Sequence, residues 1–144
     1  MLILLDQFPR NIFRGSGESY SSDAKAVEVA TGAIVKGYDR EVPLVQQSFF
    51  YLPFMHNETL LGQIAGRAFY EGWLRRCEGD AEALGFAKMG VVFMQKHLDV
   101  ISMFGHFPSR NEVLGRKTTV EEARFLEKNP MGFDMSDQKP RGSG

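Results

Sequence analysis

Residues 83–104 read ALGFAKMGVVFMQKHLDVISMF. Leu84, Ala87, Val91, Met94, Leu98 and Ile101 alternate spacings of three and four, the pattern of a buried helical seam. Lys88, Gln95, Asp99 and Ser102 form a polar set beside it. Six seam positions are too few for a coiled coil, so the stretch predicts one long helix of a bundle or helical-hairpin array.

Working back from this helix, Gly79-Asp80 marks a break, and a fourth helix precedes it. Asn57 is its expected cap, with Glu58 in the first turn. Leu61, Ile64, Ala65, Ala68, Phe69 and Gly72 read as its buried stripe, and Gly62 and Gly66 allow a neighbouring helix to approach closely. A third helix starts at Pro43 and runs through LVQQSFFYL to about Met55, with a kink or early end expected at Pro53. A second starts near Ser22 or Asp23, repeats Ala26, Val27, Ala30, Ala33 and Ile34 at helical spacing, and stops at Gly37. The first runs from Met1 and is expected to end at Phe8, because Pro9 disfavours helical backbone in the residue before it.

Working forward, Thr119 and Glu122 stand at capping-box spacing ahead of a sixth helix, about Val120 to Lys128, which Asn129-Pro130 ends. Residues 131–144 read as a polar, frayed tail. No segment alternates with period two. The fold class is therefore all-α: about six helices stacked as antiparallel hairpins in a single domain over residues 1–130.

Composition narrows the function classes. The chain has 144 residues, enough for one domain, with 43% hydrophobic and 24% charged residues. Twelve phenylalanines predict an aromatic core. A net charge of -1 with scattered Lys and Arg argues against nucleic acid as a partner. The lone cysteine, Cys77, allows no intramolecular disulfide and suits a reducing compartment. No secretory signal and no membrane-length apolar run are present, so a cytoplasmic protein with no membrane partner is expected.

One phrase occurs twice: DQFPRN at residues 6–11 and GHFPSRN at residues 105–111. On a structural reading each Pro terminates a helix, and Arg10 and Arg110 bind the orphan carbonyls or a carboxylate such as Asp6 or Glu58. On a functional reading the two loops meet. Arg10, Asn11, Arg110, Asn111 and Arg116, with Arg14 nearby, then bind an anion, a carboxylate or a phosphate. His56, Glu58 and Asp6 would supply acid and base groups beside it. His97 shares a face with Phe93, Val100 and Phe104 and reads as a core or boundary histidine, and His106 reads as exposed. Phe49, Phe50, Tyr51 and Phe54 span more than one face, so part of that run could serve a groove or a subunit contact, with Tyr70 and Trp73. No histidine spacing matches a metal motif, and no P-loop or dinucleotide fingerprint is present, so no metal and no cofactor are expected. Thr118 and Thr119 in LGRKTT read as caps rather than a phosphate grip.

The blocks LLDQFPRNIFRGS, FFYLPFMHNE with Gln63 following, and FGHFPSRN with LGRKTT and Phe125-Leu126 after it resemble the domain of unknown function 924 family, from Leu2 to about Leu126. The resemblance implies a tetratricopeptide-like fold of stacked helical hairpins and no established reaction. It also implies an N-terminal segment that this chain lacks. Uncovered apolar surface and self-association are expected to follow. In the later block the family pattern looks like RFGRFPHRN, whereas Met103, His106 and Ser109 stand here at three of its basic positions. Arg110, Asn111, Gly115 and Arg116 remain. A reaction served by the substituted positions would be lost in this member.

Two functional expectations follow. The first is a module binding a protein or peptide on the concave face of stacked hairpins. The alternative is a small-molecule binder or enzyme acting on an anionic substrate at an Arg10/Arg110 pocket. Guanidiniums opening into one cavity with His56 or Glu58 favour the second; guanidiniums saturated by carbonyls and carboxylates make the phrase scaffolding.

Overall fold

A computed structural model describes residues 1–135. Six α-helices succeed one another: α1 (Leu2–Ile12), α2 (Asp23–Val35), α3 (Leu44–His56), α4 (Leu60–Arg76), α5 (Ala81–Phe104) and α6 (Val120–Lys128). Short 3-10 turns at Gly17–Tyr20, Tyr38–Arg40 and Pro108–Arg110 join them, and no strand occurs among the described residues. The protein is all-α, as its periodicity predicts.

α4 is the central element and packs most extensively against α5 and α3, while α1 and α2 lie on α3. Tyr51, Met55, Tyr70, Trp73, Ala87 and Met94 form the main core, stapled by edge-on and tilted ring contacts among Tyr51, Tyr70 and Trp73. Two glycines set how closely the helices meet. A Cβ at Gly66 would lie 2.9 Å from Met94 Sδ, and one at Gly90 would lie 2.6 Å from Tyr70 Cε1.

The buried face of α4 differs from the expected stripe. Gln63, Gly66, Tyr70 and Trp73 face the core, and Leu61 and Ile64 are 77% and 54% exposed. Gln63 takes a core position because its Nε2 donates to the carbonyls of Phe54, Met55 and Asn57 at 3.3, 2.8 and 2.7 Å, satisfying the C-terminal turn of α3. A hydrophobicity pattern overlooks a buried residue of this kind. The cap of α4 also shifts: Thr59 Oγ1 accepts from Gly62 N at 3.1 Å, which leaves Glu58 outside the helix. On α5 the seam turns slightly, burying Ala83, His97 and Val100 with Ala87, Met94 and Ile101.

Pro9 does not end α1, which continues to Ile12. Arg10 Nη1 donates to Asp6 O at 2.7 Å and Asn11 Nδ2 to Gln7 O at 3.0 Å, so side chains support the turn that the proline weakens. Pro53 likewise lies inside α3. The capping box of α6 forms as read, Thr119 and Glu122 bonding each other's backbone N–H. The expected tail falls chiefly on residues 136–144, which lie outside the described residues. Phe133 just before them packs on His97 with ring centroids 4.1 Å apart.

Candidate functional site

The two arginines of the repeated phrase meet. Arg10 leaves the last turn of α1, and Arg110 leaves the 3-10 turn after α5. Both reach Asp23, the first residue of α2. Arg10 grips it through two parallel bonds of 2.9 Å, and Arg110 Nη1 reaches its second oxygen at 3.2 Å. The ring of Tyr20 receives both guanidiniums, Arg110 at 4.3 Å and Arg10 at 5.6 Å from its centroid. Arg110 also donates to His56 O at 2.9 Å, the last carbonyl of α3, and lies 4.6 Å from the Phe107 centroid.

His56 stands beside this cluster, its Nδ1 2.6 Å from Asp6 Oδ1. Arg10 also lies 3.2 Å from that carboxylate oxygen. Burial alone would raise the Asp6 carboxyl, but the His56 hydrogen bond, with the charges of His56 and Arg10, outweighs it and holds the group below its usual range. Burial pushes the His56 imidazolium down against the pull of Asp6. An ionised carboxylate only accepts, so Nδ1 carries the hydrogen and Nε2 is left as an acceptor. His97 follows the same logic. Its Nδ1 lies 2.7 Å from Phe93 O, a carbonyl that only accepts, and burial pushes its pKa down to about 3. The two imidazole centroids are 6.0 Å apart.

These groups line a cavity of about 250 Å³ walled by Arg10, Arg14, Tyr20, His56, His97, Phe107, Arg110 and Phe133, among others. A second hollow of about 390 Å³ shares Tyr20, His56 and Arg110 and continues past Asp23 and Glu58. Arg14 lines the first cavity and makes no ion pair among the described residues. Both arginines of the phrase keep spare donors. Arg10 commits three of its five N–H groups and Arg110 two. A larger cavity, about 550 Å³, lies elsewhere along α5, where Arg67 pairs with Glu71 and Gln95 with Asp99.

Other nominated residues stand apart from the arginine cavity. Asn11 is exposed on α1. Glu58 is held by Arg116 through bonds of 2.9 and 3.0 Å and accepts from Phe107 N at 2.7 Å. Burial would raise its carboxyl, and these partners bring it below the usual range instead. Asn111 is buried, bonding Glu122 at 3.1 Å and accepting from Arg116 at 3.0 Å. Glu58, Asn111, Arg116 and Glu122 thus tie the loop after α5 to α6, with His106 Nε2 2.6 Å from Glu122 rather than free. Among the described residues no group of three or more His, Cys, Asp or Glu is placed to hold a metal ion.

Sequence reading missed Asp23 and Tyr20 as parts of the cluster. Asp23 reads from the sequence only as the start of α2.

Three comparisons with known proteins complete the description. A family model described as "Bacterial protein of unknown function (DUF924)" matches residues 1–130, and the chain belongs to that family. A solved structure titled as a protein of unknown function, ATU0120 from Agrobacterium tumefaciens, is 37% identical, with a TM-score of 0.70 over 88% of this chain. The chain spans 65% of that protein's length. No curated protein matches. No helix among the described residues is long and apolar enough to cross a membrane.

Proposed function

Taking membership of this bacterial family as the premise, we propose that the chain binds a small anionic molecule in the cavity shared by Arg10, Arg14 and Arg110. One observation carries this reading: two guanidiniums from opposite ends of the chain converge on Asp23 over Tyr20, line a common hollow and keep donors uncommitted. Full saturation by carbonyls and carboxylates would have left only scaffolding; the partial saturation supports both roles at once. Three arginines face two carboxylates, Asp6 and Asp23, so the wall keeps a positive charge with the imidazoles neutral. His56 lines the same cavity, and with Nδ1 committed to Asp6 its Nε2 remains as the general-base candidate.

The test uses Arg14→Ala, since Arg14 is exposed and its removal leaves the packing intact. Carboxylates and phosphates are screened by thermal shift. A rise in Tm in the parent that shrinks in Arg14→Ala, with equal unliganded Tm, supports the reading. No rise with any anion sinks it.

A second reading, an interaction module, draws on exposed apolar side chains along α1 (Met1, Ile3, Leu4, Phe8 and Ile12) beside a groove of about 290 Å³. A second copy of the chain is its proposed occupant, and light scattering over a concentration series decides it. A constant monomer mass removes this reading.

A further inference from the structure

The arginine cavity has two chemically different walls. The ionic wall is Arg10, Arg14 and Arg110 with Asp23 behind them. Beside it lies an aromatic wall, joined to the first where the Arg110 guanidinium lies 4.6 Å from the Phe107 ring centroid. His97 lies over Phe133 with centroids 4.1 Å apart and ring planes 32° apart. Phe107 meets both edge-on, at 5.5 Å from His97 and 6.0 Å from Phe133. The Phe93 carbonyl orients His97, and burial keeps it neutral, so this wall carries no charge near neutral pH.

Each wall restricts the ligand. Three guanidiniums against the carboxylates of Asp6 and Asp23 leave one positive charge, which a monoanion balances and a phosphate dianion exceeds. The planar N–H fork of arginine matches the two oxygens of a carboxylate. Aromatic walls accept flat groups by stacking or edge contact, and Phe133, half-buried where His97 and Phe107 are buried, is the ring most open to a ligand. A hollow of about 250 Å³ falls below the ~300–1,000 Å³ range of drug-sized ligand sites, so the ligand is small.

We infer that the ligand is a small monocarboxylate joined to a flat aromatic or conjugated body, the carboxylate on Arg10, Arg14 and Arg110 and the body against Phe107, His97 and Phe133. This rests on the reading of the cavity as an anion site.

The experiment is an NMR titration of the ¹⁵N-labelled full chain with benzoate, acetate and inorganic phosphate in turn, repeated on Phe133→Leu and Phe133→Ala. The leucine variant keeps apolar bulk without a ring, and the amide spectrum reports whether each variant folds. Benzoate is expected to shift amides at residues 10–20 and 107–110 and to bind about tenfold more tightly than acetate or phosphate. In Phe133→Leu that preference drops to about threefold or less, while acetate affinity holds. Acetate or phosphate binding at these amides as tightly as benzoate overturns the aromatic inference and leaves the anion site standing. A benzoate preference unchanged in both variants overturns the assignment of the ring wall. Absence of shifts with all three anions overturns the inference and the anion site together.

Discussion

The two copies of the repeated phrase share composition and little else. In the first, Pro9 lies inside α1, and Asn11 is exposed on the helix surface. In the second, Pro108 opens a 3-10 turn, and Asn111 is 1% exposed, bonded to Glu122 and Arg116. The difference lies upstream. Gly105, the first residue of the second copy, takes φ 74°, the left-handed conformation that glycine tolerates, and ends α5 there. No glycine precedes Phe8, and the helical backbone runs on through the proline. A short motif therefore takes its conformation from how the preceding helix ends, while the arginine in it serves the same partner in both places.

The largest test of that shared role is Asp23→Ala. It strips the carboxylate from two guanidiniums at once and should lower stability by about 3–5 kcal/mol in urea denaturation. A loss below about 1 kcal/mol would break the claim that the two copies converge energetically.

The asparagines sharpen the contrast between the copies. Asn111→Ala should cost about 2 kcal/mol, since it removes a buried amide that bonds the buried Glu122 carboxylate and Arg116. Asn11→Ala should cost no more than about 0.5 kcal/mol, its single bond being on the surface. Equal losses would mean that burial does not distinguish them. A neighbouring control is Gly90→Ala, expected to cost about 1–3 kcal/mol by driving a methyl into the buried Tyr70 ring.

A pH dependence tests the surroundings of the second copy. His97 faces His56, Phe107 and Phe133, with Arg110 and Arg10 nearby, and its folded pKa of about 3 lies below the usual histidine value of 6.5. Between those values the unfolded chain binds a proton that the folded chain does not, so stability rises with pH and falls on acidification from about 6.5 toward 3. The slope approaches about 1.4 kcal/mol per pH unit for one proton. Asp6 and Glu58, both held below their usual range, add losses of the same sign at the acid end. A Tm series from pH 8 to 4 should fall, and His97→Gln should flatten its upper part. A flat parent profile would show that His97 is not held neutral.

Much of the fold was legible. The 3-4 spacing in residues 83–104, the Ser22-Asp23 start and the Thr119–Glu122 box each marked a real helix, because caps and periodicity are local consequences of backbone geometry. The pairing of Arg10 with Asp6 was also within reach, the two being one helical turn apart. The faces of α4 were not, since a glutamine and a glycine occupy core positions there for reasons supplied by α3 and α5.

The amino-acid order by itself determined where chain segments become helical and which polar residues are available for a site, since those depend on neighbours within a few positions. Only the tertiary structure decided that Arg10 and Arg110 share Asp23, that Tyr20 lies between them and that Phe133 closes over His97. Those contacts join residues far apart in the chain, and their energy is realised only once α1, α2, α3 and α5 have packed.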